Sequence, residues 1–558
     1  MTARPGQGGG RPWLGAALAG LVALAFYTYT LQPSLAWGDG TRLQREAVTG
    51  ESFILAEMVQ PAITPDPWPF NRLGVAAWDH PLYVMATHTL VRLLPQIDRL
   101  WLVNFFSALC GAGAVALVYA LVALETGRRA AGAVAAASLM VAHTFWFHAV
   151  TPEVYTLWAL LLLLALAAWQ RYEATGRRGW LFAAGLAWGL GAANHLLAML
   201  AAPALVIYAG LTYLSQPTPR ARPDARGLLR PLLLVAVGFG LGFLPYAIQL
   251  VRLLRLLPFD QVMGPVVGTT FLANLLALTP GKFLASLAVG VVLHLAQFGP
   301  VGLALAWLGL GRGLRREAQG GGRLARKALA GYAVYGLFGL LYHVSDQFAF
   351  YLTAYVFLAL ALGLMADAWL ARLTANGRSA ALAVLLAEVV ALPFLYAAAP
   401  GWAQGAGGDA LLGIPQIGTG VRDGLAYYVN PNKHGDYGAW EFGQTTLAAL
   451  PPNALVLAEW YTDTDEYFVL RYFTAVEHYR TDVALEGWPT EDPFLFDNAV
   501  AVARVRAETT MRPVYLASLD ERYYGVAALR SDFCITPGHN LYRVYPRADA
   551  PAGATCLP

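Results

Sequence analysis

The sequence predicts a polytopic α-helical membrane protein with a C-terminal α/β domain outside the bilayer. Of its 558 residues, 57% are hydrophobic and 13% are charged, and the mean hydropathy is +0.48. A soluble protein of this size is far less apolar. Apolar stretches recur before residue 400, whereas the last quarter has a soluble composition. The formal net charge of +3 gives no reason to expect a nucleic acid partner.

Each apolar stretch before residue 400 is long enough to cross about 30 Å of hydrocarbon as a helix. The stretch 180–213 is too long for one helix and carries Asn194-His195 at its middle, so we predict two short spans that meet at a polar elbow. About eleven spans are then expected. The others cover 13–31, 101–124, 130–150, 154–170, 230–256, 283–310, 328–343, 349–370 and 380–399.

Connections rich in arginine alternate with connections that nearly lack it. By the positive-inside rule the arginine-rich connections are cytoplasmic, so the N-terminus lies inside and everything after Ala399 lies outside. The first span follows a basic, glycine-rich leader without a convincing cleavage site, and we expect it to remain as a helix. The arginine-rich connections are 128–129, 171–178, 220–230, 312–327 and 372–378.

Residues 81–97 are apolar, but counting them as a span would place the arginine-rich connections outside. We therefore expect a helix that lies along the outer membrane surface. It belongs to a first extracytoplasmic loop that covers 32–100. A loop of this length is uncommon without a function.

The chain is expected to divide into a transmembrane unit at 1–400, a glycine-rich linker at 401–425 and an extracytoplasmic α/β domain at 426–558. Within the last unit, short β-like runs alternate with helical pieces, which is typical of a small α/β domain. The clearest of these runs are the β-like 454–458 and 514–517 and the helical 495–507.

Two of the three cysteines, Cys534 and Cys556, lie in this C-terminal unit. An oxidising exterior would allow a disulfide between them, but the sequence leaves the pairing open because it does not show the geometry. Cys110 lies within a predicted span and is expected to be a small apolar core residue.

The polar side chains that this topology places at the outer ends of the spans all lie on one side of the membrane. Such groups are costly at membrane depth unless they are paired or face water, so the cluster predicts a cavity. Each residue taken alone could equally be a helix cap or a satisfied interface residue. The set is Asp39, Glu46, Asp79, His80, His143, His148, Glu153, Asn194, His195, His343 and Asp346.

Asp39 is the most informative residue of this set, because it lies between two glycines where the first span runs out into the long loop. A carboxylate at the rim of the bilayer, beside the amphipathic Trp37, is well placed to act on a lipid-linked substrate. The alternative is that Gly38-Asp39-Gly40 forms an ordinary turn. We favour a function, because a helix that leaves the membrane needs no carboxylate between two flexible residues.

Other members of the set have structural alternatives of their own. Glu153 could simply begin the next helix, with Thr151 as the cap and Pro152 in the first turn. His80 could belong to a plain turn before the surface helix. The break at Asn194-His195 is harder to dismiss, since it leaves backbone groups that lipid cannot satisfy.

Several short motifs follow one another at these positions. They are Trp37-Gly38-Asp39-Gly40, Asp79-His80-Pro81-Leu82-Tyr83, Asn104-Phe105-Phe106-Ser107-Ala108-Leu109, Phe145-Trp146 through Glu153-Val154-Tyr155, Gly189-Leu190-Gly191-Ala192-Ala193-Asn194-His195, Asp346-Gln347 with Tyr351, and Glu477-His478-Tyr479-Arg480-Thr481-Asp482-Val483. In this order they resemble the transmembrane O-mannosyltransferase family of the GT-C superfamily, over nearly the whole chain. That family includes the animal enzyme that mannosylates plexin-type immunoglobulin-like domains and many bacterial members.

The sequence also departs from the family pattern. The family usually has a Gly-Asp-Ser-Gly type loop closely followed by an acid, whereas here the nearest acid is Glu46. The family's His-Pro-Pro-Gly-Tyr-Pro type segment is reduced to His80-Pro81-Leu82-Tyr83. These changes bear on substrate detail more than on the reaction class.

The resemblance implies transfer of a sugar, with inversion, from a polyprenyl-phosphate donor to a hydroxyl group on the outer side of the membrane. Mannose is the implied sugar and a protein Ser or Thr the implied acceptor, although the residues do not distinguish mannose from another hexose or pentose, or a protein from a glycan or lipid. Some GT-C enzymes use a divalent metal and others do not, and no ligand spacing here decides between them.

The resemblance also implies roles for individual residues. Asp39 is the expected general base, and Glu153 is the second acid of the catalytic site, which would position the sugar or the acceptor together with His80. The other expected substrate-binding residues are Tyr83, Glu46, Tyr155, Asn194, His195, Asp346 and Gln347. Candidates to bind the leaving phosphate are Arg42, Arg45, Lys282 and His343.

Two other classes of protein also combine many spans with polar groups. A transporter or lipid flippase usually has internal repeats with binding groups near the midplane, whereas this sequence shows no repeat and places its polar groups at the outer ends. A non-catalytic membrane anchor or sensor would need fewer spans and no cavity. The composition, rich in Ala, Gly, Leu and Arg, is typical of a high-GC bacterium and favours the bacterial inner membrane.

Overall fold

The structure is a computed structural model. It describes residues 12–51, 80–215, 225–256, 258–260, 262–263, 275, 279–315, 322–342, 344, 346–405, 424–459, 466–488 and 498–557. Two predicted site residues, Asp79 and His343, lie outside the described residues, as does most of the first loop.

The described residues before Gly405 are almost entirely helical, which confirms the predicted fold class. The helices are α1 Pro12–Tyr29, α2 Asp39–Thr49, α3 Pro81–Leu93, α4 Arg99–Thr126, α5 Arg129–Val141, α6 His143–Val150, α7 Tyr155–Thr175, α8 Gly179–Asn194, α9 Ala201–Leu214, α10 Ala225–Leu256, α11 Pro280–Gly311, α12 Gly322–Leu341, α13 Gln347–Phe350, α14 Leu352–Leu370 and α15 Ala375–Gly405.

Seven of the described helices are long and apolar enough to cross a membrane, and the pair α5 and α6, bent by 65°, would make an eighth. The predicted spans near 154–170 and 328–343, and the first half of 180–213, correspond to α7, α12 and α8. The elbow is confirmed, because α8 ends at Asn194 and a 3₁₀ turn, Leu196–Leu200, leads into α9. The segment 81–97 contains the helix α3, which ends at Leu93 and is shorter than expected.

Two helices, α4 and α14, form the centre of the bundle. Along α14 nearly every side chain is buried, so the usual apolar stripe is replaced by an apolar surface all round, as expected of a helix enclosed by others. The start of α4 is fixed by Asp98, whose carboxylate accepts a hydrogen bond from the Trp101 amide at 2.8 Å. Its end is fixed by Gly127, which has a φ of 72°. Cys110 is buried in this helix, as predicted.

A kink interrupts α11 at Gly299, which has a φ of 66° and is followed by Pro300. The carboxylate of Glu388 on α15 accepts hydrogen bonds from the Val301 and Gly302 amides at 2.8 and 2.9 Å. It thereby caps the second half of the broken helix, whose first amides would otherwise lack partners.

The C-terminal part is an α/β domain, as predicted. Its five-stranded sheet has the order β2-β1-β3-β5-β4, with β1 parallel to β2 and β3, and β5 antiparallel to β3 and β4. Helices cover both faces of the sheet. The elements are α16 Gly424–Val429, α17 Gly438–Ala449, β1 Leu455–Glu459, α18 Glu466–Ala475, β2 Ala484–Trp488, α19 Asn498–Glu508, β3 Val514–Leu516, α20 Glu521–Tyr524, α21 Val526–Asp532, β4 Phe533–Pro537 and β5 Tyr542–Pro546.

Cys534 on β4 and Cys556 in the C-terminal tail form a disulfide, which resolves the pairing that the sequence left open. The bond closes a loop between residues 22 apart in sequence. Replacing Cys534 with serine should therefore lower the stability of the C-terminal domain by about 3 kcal/mol, because it frees that loop in the unfolded chain. Thermal unfolding of purified protein with and without reductant measures the loss. Cys110→Ser is the control, because reductant should destabilise it as much as the wild type.

The C-terminal domain packs on the ends of α1 and α6. The Lys433 amide donates to the Thr30 carbonyl at 3.0 Å, and the Gln32 side chain donates to the Asp436 carbonyl at 2.5 Å. The ring of Trp37 lies 5.3 Å from that of Phe442. The loop that leads to Asp39 is therefore shaped by residues from both parts of the chain.

Candidate active site

The Asp39 loop lies at the end of the bundle that faces the C-terminal domain. Gly38 has a φ of 63° and a ψ of −143°, and Asp39 begins α2 directly after it. A side chain at position 40 would come within 3.0 Å of Pro152, so Gly40 allows α2 to lie against the segment that carries Glu153. The Asp39 side chain is 63% exposed. The sequence motif therefore produces an accessible carboxylate beside a second one.

Arg42 lies between two carboxylates of the same helix. Its Nε is 3.3 Å from Asp39 Oδ1, and its Nη1 is 3.9 Å from Glu46 Oε2. Glu46 is fully buried, and Arg45 is also buried on this helix. Glu46 therefore lies behind Arg42 inside the protein, and Asp39 is the acid of this helix that faces solvent.

Glu153 is half-buried in the turn between α6 and α7. Burial and the negative charges of Asp39 and Asp346 raise the pKa of Glu153 to about 8, against the opposing charge of Arg42. Asp39, Asp346 and Arg42 therefore lie close enough to Glu153 for their charges to act on its carboxyl group. The helix α7 begins at Tyr155, and the Thr151 hydroxyl donates to the Phe147 carbonyl at 2.8 Å. Thr151 is thus not the cap of α7, and Glu153 precedes the helix.

The raised pKa predicts a pH-dependent stability. Glu153 binds its proton more tightly in the folded protein than in the unfolded chain, where the pKa is about 4.5. Its stabilising contribution is therefore complete below pH 4.5 and is lost as the pH rises through 8. Between pH 6 and 9 the melting temperature of the wild type should fall more than that of Glu153→Gln. An equal fall in both proteins would contradict this prediction, and Glu441→Gln, an exposed site, is the control.

The elbow between α8 and α9 forms the opposite wall of the region. His80 has a φ of 41°, and its Nδ1 is 2.8 Å from the Asn194 carbonyl oxygen. The His80 and His195 rings stack at 4.9 Å, and the Tyr155 ring lies 5.4 Å from that of His195. The Asn194 side chain donates to the Val154 carbonyl at 2.9 Å. These contacts satisfy backbone groups that the broken helix leaves open and join three of the sequence motifs.

Other predicted residues have structural roles or lie elsewhere. Tyr83 is fully buried, and its hydroxyl is 2.9 Å from that of Ser107. Gln347 is buried and donates to the Gly339 carbonyl at 2.8 Å. Lys282 is exposed in the first turn of α11, and no contact within the described ranges joins it to the carboxylates.

The family-like segment at 477–483 stabilises the C-terminal domain and its contact with the bundle. Glu477 forms an ion pair with Arg99 at 2.5 Å. The Arg480 guanidinium binds Asp482 at 2.8 Å and donates to the Leu447 and Leu450 carbonyls. These interactions make the segment structural.

Sequence reasoning missed the residues that hold the carboxylates in place. The Ser107 hydroxyl is 3.2 Å from both the backbone nitrogen and the backbone oxygen of Glu153. Asn104 and Gln44 bond to each other and to the chain that leads to Asp39. The available signal was the pair of polar residues three positions apart in the otherwise apolar α4.

An apolar groove with a cavity volume of about 80 Å³ lies along α7. It begins at Trp158, one turn after Tyr155, and extends along α7 to Trp169, a distance of about 16 Å. Helices α8, α9 and α12 supply the other walls. Its far end is closed by Lys327, which forms an ion pair with Glu173 at 2.7 Å. The lining is almost entirely apolar, as contact with a hydrocarbon chain would require.

The described part of the chain groups no three His, Cys, Asp or Glu side chains as a metal ion would need. The described residues of this region offer two or three carboxylates, one guanidinium and a set of histidine and tyrosine rings. An exposed carboxylate beside a protonated one can accept a proton while its neighbour donates a hydrogen bond.

Known proteins resemble this chain in part of its sequence and in its fold. Residues 79–219 match the family model of the protein O-mannosyl-transferase TMEM260 N-terminal domain, while no protein of curated function matches the chain in sequence. ArnT from Cupriavidus metallidurans bound to undecaprenyl phosphate is similar in structure, with a TM-score of 0.58 at 16% identity, over 97% of this chain and 99% of ArnT.

Two archaeal structures are also similar. The apo oligosaccharyltransferase of Archaeoglobus fulgidus has a TM-score of 0.52 at 12% identity, over 98% of this chain and 76% of its own. The oligosaccharyltransferase AglB of that organism, in complex with an inhibitory peptide and a dolichol-phosphate, has a TM-score of 0.50 at 13% identity. The similarity covers 97% of this chain and 75% of AglB. The chain therefore has the fold of ArnT and of the archaeal oligosaccharyltransferases, and its residues 79–219 are similar to the N-terminal domain of a protein O-mannosyl-transferase.

Proposed function

We propose that this enzyme moves a sugar from a polyprenyl-phosphate donor to a hydroxyl group, with Asp39 as the general base. The observation that carries the proposal is the accessible carboxylate of Asp39 next to Glu153, in a protein that also has an apolar groove along α7. The groove would hold part of the prenyl chain. Mannose and a protein Ser or Thr are the proposed sugar and acceptor, because the family model that matches is that of a protein O-mannosyl-transferase.

In the proposed reaction the acceptor oxygen attacks the anomeric carbon from the face opposite the phosphate. The new carbon–oxygen bond forms as the bond to the phosphate oxygen breaks, so the configuration inverts and polyprenyl phosphate leaves. The acceptor proton passes to Asp39. Glu153, which is uncharged at neutral pH, donates a hydrogen bond to the sugar or the acceptor. This division of roles follows from one exposed and one desolvated carboxyl group.

The leaving phosphate gains negative charge and needs cationic partners. Arg42, whose guanidinium lies beside Asp39, is our first candidate, and Arg45 on the same helix is the second. Lys282 and His343 remain candidates that no described contact supports. His80, His195, Tyr155 and Asp346 would line the space for the sugar and the acceptor.

The proposed topology follows from the arginine distribution. The N-terminus lies in the cytoplasm, and the carboxylates and the C-terminal domain lie on the outer side of a bacterial inner membrane. Two features support this placement: the disulfide belongs to an oxidising compartment, and the loop with Asp39 packs on the domain that contains the disulfide.

Purified protein in nanodiscs, incubated with polyprenyl-phosphate mannose labelled in the sugar and with a membrane extract as acceptor source, tests the proposed function. We expect release of polyprenyl phosphate together with transfer of label to protein, in a form that β-elimination removes. Label in a glycan or lipid would revise the acceptor. If no release occurred with mannose, glucose, arabinose or galactose donors, the proposed reaction would be wrong.

A further inference from the structure

We propose that Asn104 and Ser107 are positioning residues, which together set the separation of the Asp39 and Glu153 carboxylates. They lie three positions apart on one face of α4, about 4.5 Å along the helix axis, and both are fully buried. One holds the segment that carries Asp39, and the other holds the segment that carries Glu153. This inference rests on the proposed function, since it assigns a catalytic purpose to that spacing.

Asn104 holds the Asp39 segment from both sides. Its side-chain nitrogen donates to the Gln32 and Ser34 carbonyls at 2.8 and 3.0 Å, just before the Gly38 turn. Its side-chain oxygen accepts a hydrogen bond at 2.8 Å from Gln44, which lies on α2 after the turn. All the hydrogen-bonding groups of this amide except one lone pair are thus used, and the turn cannot shift without breaking them.

Gln44 adds further hydrogen bonds to the segment that carries Asp39. Its oxygen accepts from the Ala36 amide at 2.9 Å, and its nitrogen also donates to the Ser34 carbonyl at 3.1 Å. The residue is fully buried, so these bonds have no competition from water. The chain before Asp39 and the helix after it are therefore connected through one pair of side chains.

Ser107 holds the Glu153 segment. A hydroxyl has one proton to donate and two lone pairs to accept with. The Ser107 hydroxyl donates to the Glu153 carbonyl and accepts from the Glu153 amide, both at 3.2 Å. The Tyr83 hydroxyl, at 2.9 Å, supplies the third bond. The capacity of this hydroxyl is therefore filled, and it fixes the backbone rather than the carboxyl group of Glu153.

Both sets of hydrogen bonds start from a rigid support, because Asn104 and Ser107 lie in the second and third turns of a helix at the centre of the bundle. A shift of about 1 Å in a catalytic group can reduce a rate about 100-fold. Variants that remove the hydrogen bonds of Asn104 or of Ser107 should therefore lower kcat. The KM for the donor should stay nearly unchanged, since neither residue faces the region between the carboxylates.

Asn104→Asp and Ser107→Ala test the proposal, with Thr353→Val as the matched control. Thr353 is also fully buried on a central helix, and its hydroxyl accepts from the Trp158 indole at 3.0 Å, away from both carboxylates. Per folded molecule, we expect a fall in kcat of about 10- to 100-fold in the two test variants and less than a twofold change in the control. Equal specific activity in all three would overturn the proposal.

A second measurement separates this proposal from the proposed function. Spin labels at Asp39→Cys and Glu153→Cys, in a Cys110→Ser background, report the distance between the two positions by dipolar broadening without any catalysis. We expect a broader distance distribution in Asn104→Asp and Ser107→Ala than in Thr353→Val. An unchanged distribution would overturn the positioning role. If the distance distribution broadened but the wild type transferred no sugar, only the catalytic purpose of the spacing would be overturned.

Discussion

Asp39→Asn should reduce sugar transfer by about 10²- to 10⁴-fold, the usual contribution of a general base. Asparagine has nearly the same shape as aspartate but cannot take up the acceptor proton. The side chain is 63% exposed and its only described ion pair is with Arg42, so the variant should fold normally. Single-turnover release of polyprenyl phosphate, compared with thermal stability, measures both effects.

A matched control separates the loss of the base from a general effect of substitution. Asp549→Asn, an exposed position in the C-terminal domain, is the matched control and should behave as the wild type does. A variant at position 39 that retained full activity would exclude Asp39 as the base and leave Glu153 or Asp346 as the candidates.

Glu388→Ala should destabilise the transmembrane unit by roughly 3 kcal/mol or more. The carboxylate accepts hydrogen bonds from the amides of Val301 and Gly302, at a kink within a helix that crosses the membrane. Without it, two backbone donors remain unsatisfied where lipid offers no replacement. Thermal unfolding in detergent, followed by the loss of a monodisperse elution peak, measures the change.

Glu388→Gln separates the capping role from the loss of side-chain volume. Glutamine keeps one acceptor oxygen and nearly the same shape, so we expect about half the loss of Glu388→Ala. Gly299→Ala should also be destabilising, since residue 299 has a φ of 66° and an added carbon would lie 3.0 Å from the Glu388 carboxyl group. If both position 388 variants were as stable as the wild type, the kink would not depend on this cap.

The sequence was sufficient for the helices, the elbow at Asn194-His195 and the position of the α/β domain. Apolar length, interrupted periodicity and composition are local properties, and a membrane makes them decisive because every backbone group must be satisfied within the protein. The accessible position of Asp39 was also predictable, since two flanking glycines and the adjacent span are neighbours in sequence.

The supporting contacts were not predictable, because they join residues far apart in the chain. The Gln44–Asn104 and Ser107–Glu153 pairs depend on how α2 and α7 pack on α4, which no local pattern encodes. The same reason explains why Glu46, Tyr83 and Gln347 were expected to bind substrate but are buried in the structure. A polar residue that the sequence predicts to lie near a cavity can either face that cavity or support its wall.

The contact between the first loop and the C-terminal domain has a consequence for the order of biosynthesis. Gln32 and its partner Asp436 lie 404 residues apart in the sequence, so at about 5–20 residues per second the first waits roughly 20–80 s for the second to be synthesised. The segment that leads to Asp39 is among the first to leave the ribosome, yet it is completed among the last. A nascent chain can therefore insert its helices long before this contact can form.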